Sequence, residues 1–218
     1  MTDVLVVVAA GPGLGLAIAR RFAREGAAVG LVARSADRLA ELAEEVVHAG
    51  SPAVSTAAAD VADETALRAA LAALRRDLGE VTVLVYNGSA YVAGTVTALT
   101  AQQLRLALDV GVVGALVAVQ ETVPAMRAAG RGTVLLTGSI AADRASTRAA
   151  AVGVAKAGLR SLARSLHKEV ADDGVRVTSV TITGALSGPR ALDLDEVAEL
   201  YWRLHMATVS PPPVVVHP

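Results

Sequence analysis

The 218-residue sequence has no cysteine and very few aromatic side chains, with one Phe, one Trp and three Tyr. The absence of cysteine excludes disulfides, thiolate metal sites and a catalytic cysteine. The four histidines show no ligand-like spacing, so we expect no metal site. Because 53% of the residues are hydrophobic, the core must be built from aliphatic side chains, mainly Ala, Val and Leu.

An excess of charge of one sign is also missing. Twenty Lys and Arg against 21 Asp and Glu leave a formal net charge of −1, which offers no basic face to nucleic acid or to an anionic membrane. The first residues do not form a cationic signal-peptide start. The apolar run over 4–19 is broken by Gly and Pro and is shorter than the ~20 residues of a membrane span. We therefore expect a cytoplasmic protein that binds a small-molecule substrate, with no nucleic-acid or membrane partner.

Short apolar runs alternate with helical patterns along the whole chain. The apolar runs cover 4–8, 29–33, 53–59, 81–86, 133–137, 175–182 and 214–216. Strands this uniformly apolar are covered on both faces, which is typical of a parallel sheet between two helix layers. The sequence thus predicts a single α/β domain over 1–218, a Rossmann-type doubly wound parallel sheet of about seven strands flanked by helices on both faces.

A glycine-rich turn follows the first apolar run. Gly11, Gly13 and Gly15 surround Pro12 and Leu14, directly before a helical pattern. Glycines at this junction let the chain turn sharply and let a pyrophosphate approach the N-terminus of the helix. The alternative is that they serve close helix–strand packing. The position of the turn, at the first strand–helix junction of an alternating chain, favours nucleotide binding.

The second strand ends without the acidic residue that usually binds a ribose hydroxyl of NAD. Arg34 and Ser35 stand there instead, with Arg38 one turn later. A guanidinium at this place suits the 2′-phosphate of NADP by bidentate contact. We therefore expect NADP(H) to be preferred over NAD(H). The alternative is a solvated arginine at a helix start.

These residues, in this order, resemble the short-chain dehydrogenase/reductase family across almost the whole chain. The family signature TGxxxGxG falls on residues 9–15, AAGPGLG, with Ala9 at the first glycine, and the match is closer to a GAGPGLG subgroup. Its NNAG motif aligns with 86–89, YNGS, and its PG turn with Thr183–Gly184. The resemblance implies that the cofactor-binding residues are Gly11, Gly13, Leu14, Gly15, Arg34, Ser35, Asp60, Val61, Asn87, Gly88, Lys156 and Gly184.

The catalytic set of the family is incomplete in this chain. Ser139 and Lys156 match the family Ser and Lys at the expected spacing, whereas Val152 stands at the tyrosine of YxxxK and Gly111 at the asparagine. The resemblance implies that Ser139 polarises a substrate carbonyl and that Lys156 bonds ribose hydroxyls. The alternative is a strand-end turn serine and a solvated helix lysine. Valine cannot supply the proton that the tyrosine gives, which is worth ~10²–10⁴ in rate.

Three functions remain open from the sequence. The first is an atypical NADP(H)-dependent oxidoreductase, in which Ser139, Tyr91, Asp143 or water replaces the missing acid, or in which an iminium or a polarised C=C bond needs none. The second is a non-redox enzyme on the same fold, such as a dehydratase, cyclase, epimerase or lyase. The third is a binding protein that senses NADP(H). Fold alone cannot choose between them, and the resemblance favours the oxidoreductase.

The C-terminal part predicts a short substrate region over 185–218, with an open pocket or one closed by a neighbouring subunit. Tyr201, Trp202 and His205 lie on its helix, and we expect them to pack or to contact a subunit rather than to bind substrate. The helix around 149–168 is rich in Ala and Gly, which permits close helix–helix approach. Members of the resembled family commonly pair through this helix and the preceding one. We therefore expect a homodimer or homotetramer.

Overall fold

The strands of the protein form one parallel sheet. The computed structural model describes residues 2–186, 188–189, 191–209 and 211–216, without the side chain of Val216. The strands are β1 Val4–Val8, β2 Ala28–Ala33, β3 Val54–Ala58, β4 Val83–Tyr86, β5 Gly132–Ser139, β6 Val175–Ile182 and β7 Val214–Val216. They lie in the order β3-β2-β1-β4-β5-β6-β7, and every neighbouring pair is parallel. This confirms the predicted seven-stranded Rossmann-type sheet.

The helices cover both faces of the sheet. They are α1 Leu14–Ala23, α2 Ala36–His48, α3 Glu64–Leu78, α4 Ala101–Leu108, α5 Gly114–Ala128, α6 Ala150–Glu169 and α7 Leu194–Met206. A π-helical segment, Asp109–Val113, joins α4 to α5, and a 3₁₀ turn, Ile140–Ala142, follows β5. One core cluster lies between the sheet and α3, α5 and α6, and a second lies between the sheet and α1, α2 and α7.

The continuous helical stretch Ala101–Ala128 is apolar enough and long enough to cross a membrane by length and composition alone. Half of its most apolar window is buried inside the fold. A core helix of a doubly wound domain acquires the same apolar content, because one of its faces packs on the sheet. The stretch is therefore explained by the fold.

The strand order fixes where a ligand can bind. The chain leaves β1 toward β2 and β3 on one side, and continues through β4 to β7 on the other. In such a sheet the crevice lies outside the carboxyl ends of the strands at this reversal of order.

Of the predicted substrate region over 185–218, positions 187, 190, 210, 217 and 218 lie outside the described residues.

Candidate active site

The glycine turn leaves the N-terminus of α1 open. Gly13 precedes the helix, and no side chain caps it. A Cβ on Gly11 would meet nothing within 4 Å, whereas a Cβ on Gly15 would lie 3.2 Å from the Cα of Ala10. Gly11 therefore faces the space that a pyrophosphate needs, and Gly15 allows close packing of helix on strand. Leu14 is buried, so only its backbone can serve a cofactor.

Ala9 departs from the family pattern at a cost. Its φ is +60°, in the left-handed region that glycine adopts freely. For an alanine this conformation costs roughly 1–2 kcal/mol. The turn therefore keeps the geometry of the family glycine with a less suitable residue.

A cleft of about 450 Å³ opens beside this turn at the carboxyl edge of the sheet. It brings together four of the predicted cofactor-binding residues, Arg34, Asp60, Val61 and Asn87. The other predicted residues do not line it: Gly11, Gly13, Leu14, Gly15, Ser35, Gly88, Ser139, Lys156 and Gly184. The cleft therefore contains the part of the site formed by the ends of β2, β3 and β4.

Arg34 and Ser35, at the end of β2, have different surroundings. The Ser35 hydroxyl accepts the Arg38 backbone N–H at 3.2 Å and so caps α2. The Arg34 side chain is exposed at the cleft, and no ion-pair partner for it occurs among the described residues. Its guanidinium is therefore free to bind a phosphate.

Asp60 and Asn87 bring polar groups to the cleft just beyond the ends of β3 and β4. A carboxylate oxygen of Asp60 accepts the Ala62 backbone N–H at 3.0 Å, which holds the side chain at the cleft. The Asn87 backbone N–H donates to the carbonyl of Val8 at 2.9 Å, which ties the end of β4 to β1. A side chain on Gly88 would meet the ring of Tyr86 at 2.6 Å. Only glycine fits there.

Lys156 is buried, so the solvated-lysine alternative is wrong. It is 5% exposed, and its Nζ donates to the carbonyl oxygens of Gly88 at 3.1 Å and Thr137 at 2.7 Å. Burial lowers the pKa of its ammonium to about 8. The lysine therefore links the ends of β4 and β5 beneath the crevice.

Ser139 is the last residue of β5. Its Oγ accepts the Ala141 backbone N–H at 3.2 Å, as the turn alternative predicts. Within the described part of the chain, the hydroxyl hydrogen has no acceptor. Ser139 can therefore both close the 3₁₀ turn and donate a hydrogen bond to a ligand.

Val152 lies half-buried in the first turn of α6. The neighbouring Gly153 lets this turn approach the 3₁₀ segment, since a Cβ there would lie 2.8 Å from the carbonyl oxygen of Ala141. Val152 and Lys156 are four residues apart and share a helix face. The valine thus lies on the helical turn that approaches the Ser139 segment, at the sequence position where the family has its phenol.

Gly111 cannot be replaced by the family asparagine without rearrangement. It is buried in the π-helical segment, and a Cβ there would lie 2.9 Å from the Cβ of Ala155. The glycine therefore does more than omit a polar side chain. It brings the segment against α6, and any longer side chain there would require the segment or α6 to shift.

Tyr86 is a structural residue that the sequence patterns did not single out. It is fully buried at the end of β4, and its hydroxyl donates to the carbonyl of Val110 in the π-helical segment. Burial, with a smaller contribution from Asp60, raises its pKa well above the ordinary value. The sequence feature that could have identified it is a bulky residue two positions before Gly88.

Two candidate replacement acids have different surroundings. Asp143 forms a two-pronged ion pair with Arg160, which holds the pKa of its carboxyl below the ordinary value. It therefore carries no proton to give at neutral pH. Tyr91 lines the mouth of the cleft and is 75% exposed.

The C-terminal residues pack as expected. Gly184 is exposed, and a Cβ at that position would lie 2.8 Å from the Cγ of Leu192. Tyr201 is buried and bonds the Thr137 hydroxyl at 2.8 Å. His205 is buried at the opposite edge of the sheet, and the Trp202 ring packs on Phe22 at 5.0 Å between centroids.

An open glycine turn at the first strand–helix junction, a polar cleft at the switch point and a buried lysine define a dinucleotide-binding domain. A family model described as short chain dehydrogenase matches residues 3–191. The chain belongs to the short-chain dehydrogenase/reductase family.

Two curated relatives are dehydrogenases or reductases. The chain is 32% identical over 169 residues to a 3-dehydrosphinganine reductase from Arabidopsis thaliana, covering 76% of this chain and 50% of that protein. It therefore spans half the length of this relative. It is also 32% identical over 183 residues to 2-(R)-hydroxypropyl-CoM dehydrogenase from Xanthobacter autotrophicus, covering 83% of this chain and 73% of that protein.

Two solved structures are similar over most of the chain. One is L-sorbose reductase from Gluconobacter frateurii in complex with NADPH and L-sorbose, with a TM-score of 0.89 and 26% identity over 94% of this chain and 89% of that chain. The other is a metagenomic short-chain oxidoreductase in complex with NADP. Its TM-score is 0.88 and its identity 28%, and the match covers 99% of this chain and 96% of that chain. Both structures support a nucleotide cofactor for this fold.

Proposed function

We propose that this protein is an atypical NADP(H)-dependent oxidoreductase that acts on a small organic substrate. The observation that carries the proposal is the exposed guanidinium of Arg34 in the cleft beside the open glycine turn. The 2′-phosphate would bind at Arg34, and the pyrophosphate at Gly11 and the N-terminus of α1. When bound, the cofactor supplies or accepts a hydride.

The residues kept from the family support a division of roles within the site. The Ser139 hydroxyl can donate to a substrate oxygen and polarise the bond to be reduced. Lys156 lies between the ends of β4 and β5, where two of its N–H groups bond carbonyl oxygens and one is left for a ligand. Val152 excludes a phenol from the site, so we propose that the enzyme reduces simple ketones slowly.

The cofactor proposal is tested by calorimetry on Arg34→Ala. A charge-assisted hydrogen-bond contact is worth roughly 1.5–3 kcal/mol, so the affinity for NADPH should fall about 10- to 100-fold while the affinity for NADH is unchanged. Arg24→Ala, at the exposed C-terminal end of α1, is the control and should leave both affinities near the wild-type values. Equal wild-type affinity for NADPH and NADH, unaffected by Arg34→Ala, would contradict the proposal.

We also propose a homodimer or homotetramer. Val113 and Leu116 are exposed along Ala101–Ala128, and Val154 is exposed on α6. Exposed apolar side chains grouped on two adjacent helices favour association. Light scattering at micromolar concentration should give at least twice the 22.1 kDa of one chain, and Leu116→Glu should lower that mass. A monomeric wild type would contradict this proposal.

A further inference from the structure

The inference concerns Lys156 and the source of the proton in a site without the family tyrosine. Three contacts bring the relevant groups together. Lys156 Nζ bonds the carbonyl of Thr137, two residues before Ser139. The first turn of α6, which carries Val152, packs against the turn after Ser139 through Gly153. The ammonium, the Ser139 turn and the first turn of α6 therefore meet at the end of β5.

Tyr91 stays at the exposed mouth of the cleft, and the other competing acids in the described part of the chain are committed elsewhere. Asp143 is ionised in its pair with Arg160. The hydroxyls of Tyr86 and Tyr201 are buried in hydrogen bonds to Val110 and Thr137. Gly111 packs on Ala155 and offers no relay. Lys156 is the acidic group that remains beneath the crevice.

We propose that Lys156 is itself the proton donor of the reduction, acting through one water molecule beside Val152. This rests on the proposed oxidoreductase function. As a hydride from the reduced nicotinamide adds to the carbonyl carbon, the π electron pair moves to oxygen. The new O–H bond takes its proton from the water, which takes one from Nζ. The neutral amine then regains a proton from solvent, so atoms and charge balance.

The electrostatic surroundings of Lys156 suit this role. Two N–H groups bond carbonyl oxygens, and the third is left for a water. Besides Lys156, the titratable side chains of α6 are Arg160, Arg164, His167, Lys168 and Glu169. Those on the elements around α6 are Tyr86, Arg105, Asp109, Asp143 and Arg176. None of these shifts the pKa of Lys156, which burial alone lowers to about 8. A donor with a pKa near the operating pH is the most effective kind.

The chain offers a direct measurement, because its only lysines are Lys156 and Lys168. We would titrate the full-length protein, labelled with ¹³C and ¹⁵N in lysine, by NMR. Lys168→Arg removes the second signal and assigns the first. The proposal expects a midpoint near 8 for Lys156. A midpoint of 10 or above would overturn it whether or not NADPH binds.

The kinetic test uses NADPH and butane-2,3-dione, an activated ketone, as the probe. In the wild type, kcat/KM should fall about tenfold per pH unit above the Lys156 midpoint, since only the ammonium donates. Lys156→Arg keeps the cation but its guanidinium does not release a proton. It should lose about 100-fold or more in kcat and still bind NADPH by fluorescence. Lys168→Arg should match the wild type in both measurements.

A rescue separates proton donation from positioning. Val152→Tyr combined with Lys156→Arg returns a donor to the site and should recover at least tenfold of the lost kcat. A wild-type rate that does not change from pH 7 to 10 would overturn the proposal and leave the oxidoreductase function standing. Absence of NADPH binding by the wild type would instead refute the proposed function, and the proton-donor role with it.

Discussion

At the scale of single residues, the spacing of Ser139 and Lys156 in the sequence predicted where they lie, but the sequence could not predict what surrounds them. The resemblance placed both at the ends of the right elements. It could not show that Lys156 is buried against two carbonyl oxygens, because Gly88 and Thr137 are 68 and 19 residues away in sequence. Nor could it show that Ser35 caps a helix while Arg34 remains free. Motifs identify residue types, whereas tertiary contacts decide which of their atoms are available.

The substitution of valine at 152 gives a direct residue-scale prediction. Val152→Tyr returns a phenol one helical turn before Lys156, whose positive charge favours the phenolate. General acid catalysis contributes about 10²–10⁴-fold. The variant should therefore reduce butane-2,3-dione with NADPH at least tenfold faster than the wild type, measured by loss of NADPH absorbance.

The matched control is Ser165→Tyr, which places the same side chain at an exposed position of α6. It should leave the rate unchanged. If Val152→Tyr folds and binds NADPH but shows no gain, proton supply does not limit the reaction and the account of this position is wrong.

At the scale of elements, the strands and most helices were predictable, and the junctions were not. The apolar runs located all seven strands because buried strands of a parallel sheet are apolar on both faces. The fourth strand begins at Val83 rather than at 81, and the Thr82 side chain just before it accepts the Val4 N–H and donates to Asp3. The π-helical segment had no sequence signal, because it depends on the Tyr86 hydroxyl and on α6.

The contact between Gly111 and α6 predicts a coupling between two positions. Gly111→Ala forces its Cβ against that of Ala155 and should cost about 1–3 kcal/mol of unfolding free energy, as overpacking does. In an Ala155→Gly background the same change should cost at least 1 kcal/mol less, a typical coupling for residues in contact. Urea denaturation of the four proteins measures this.

Ala157→Gly provides the control background, because this exposed residue lies on the same helix and carries the same helix-propensity penalty. Gly111→Ala should be equally costly there and in the wild type. An equal cost in the Ala155→Gly background as well would mean that this contact does not constrain the segment.

At the scale of the whole molecule, the two edges of the sheet differ in character. The carboxyl edge carries the open glycine turn and the buried ammonium of Lys156. At the amino edge, His205 bonds Thr133 at 3.0 Å and Asp3 at 3.2 Å, which ties α7 to the starts of β1 and β5. The hydrogen bond from His205 lowers the pKa of Asp3. Composition predicted the aliphatic core. It could not predict that one edge of the sheet carries the candidate site and that the other carries the hydrogen bonds that hold α7.

The charge buried at the carboxyl edge sets the last prediction, which concerns stability against pH. The pKa of Lys156 is about 8 in the folded chain against 10.5 for the free side chain. Between these values the lysine is protonated in the unfolded chain and neutral in the folded chain. The unfolded state therefore binds more protons, so the stability of the folded state rises as the pH rises from 8 to 10.5. Below 8 both states are protonated, and the full cost of burying the charge, about 3 kcal/mol at roughly 1.4 per pKa unit, remains. Lys156→Met removes that cost and should be more stable than the wild type by about 2–3 kcal/mol at pH 7.

The advantage of Lys156→Met should shrink steadily as the pH is raised toward 10, because the wild-type lysine becomes neutral in the fold. Urea denaturation at several pH values gives the difference in unfolding free energy, in which the titration of groups common to both proteins cancels. Lys168→Met, at an exposed position of the same helix, should show neither the gain nor its pH dependence. Since the stabilised variant also lacks the ammonium, it should lose reductase activity, as expected where a functional group is kept at the expense of stability. A Lys156→Met variant that is less stable than the wild type at pH 7, with a difference that does not vary with pH, would show that the two carbonyl contacts outweigh the burial of the charge.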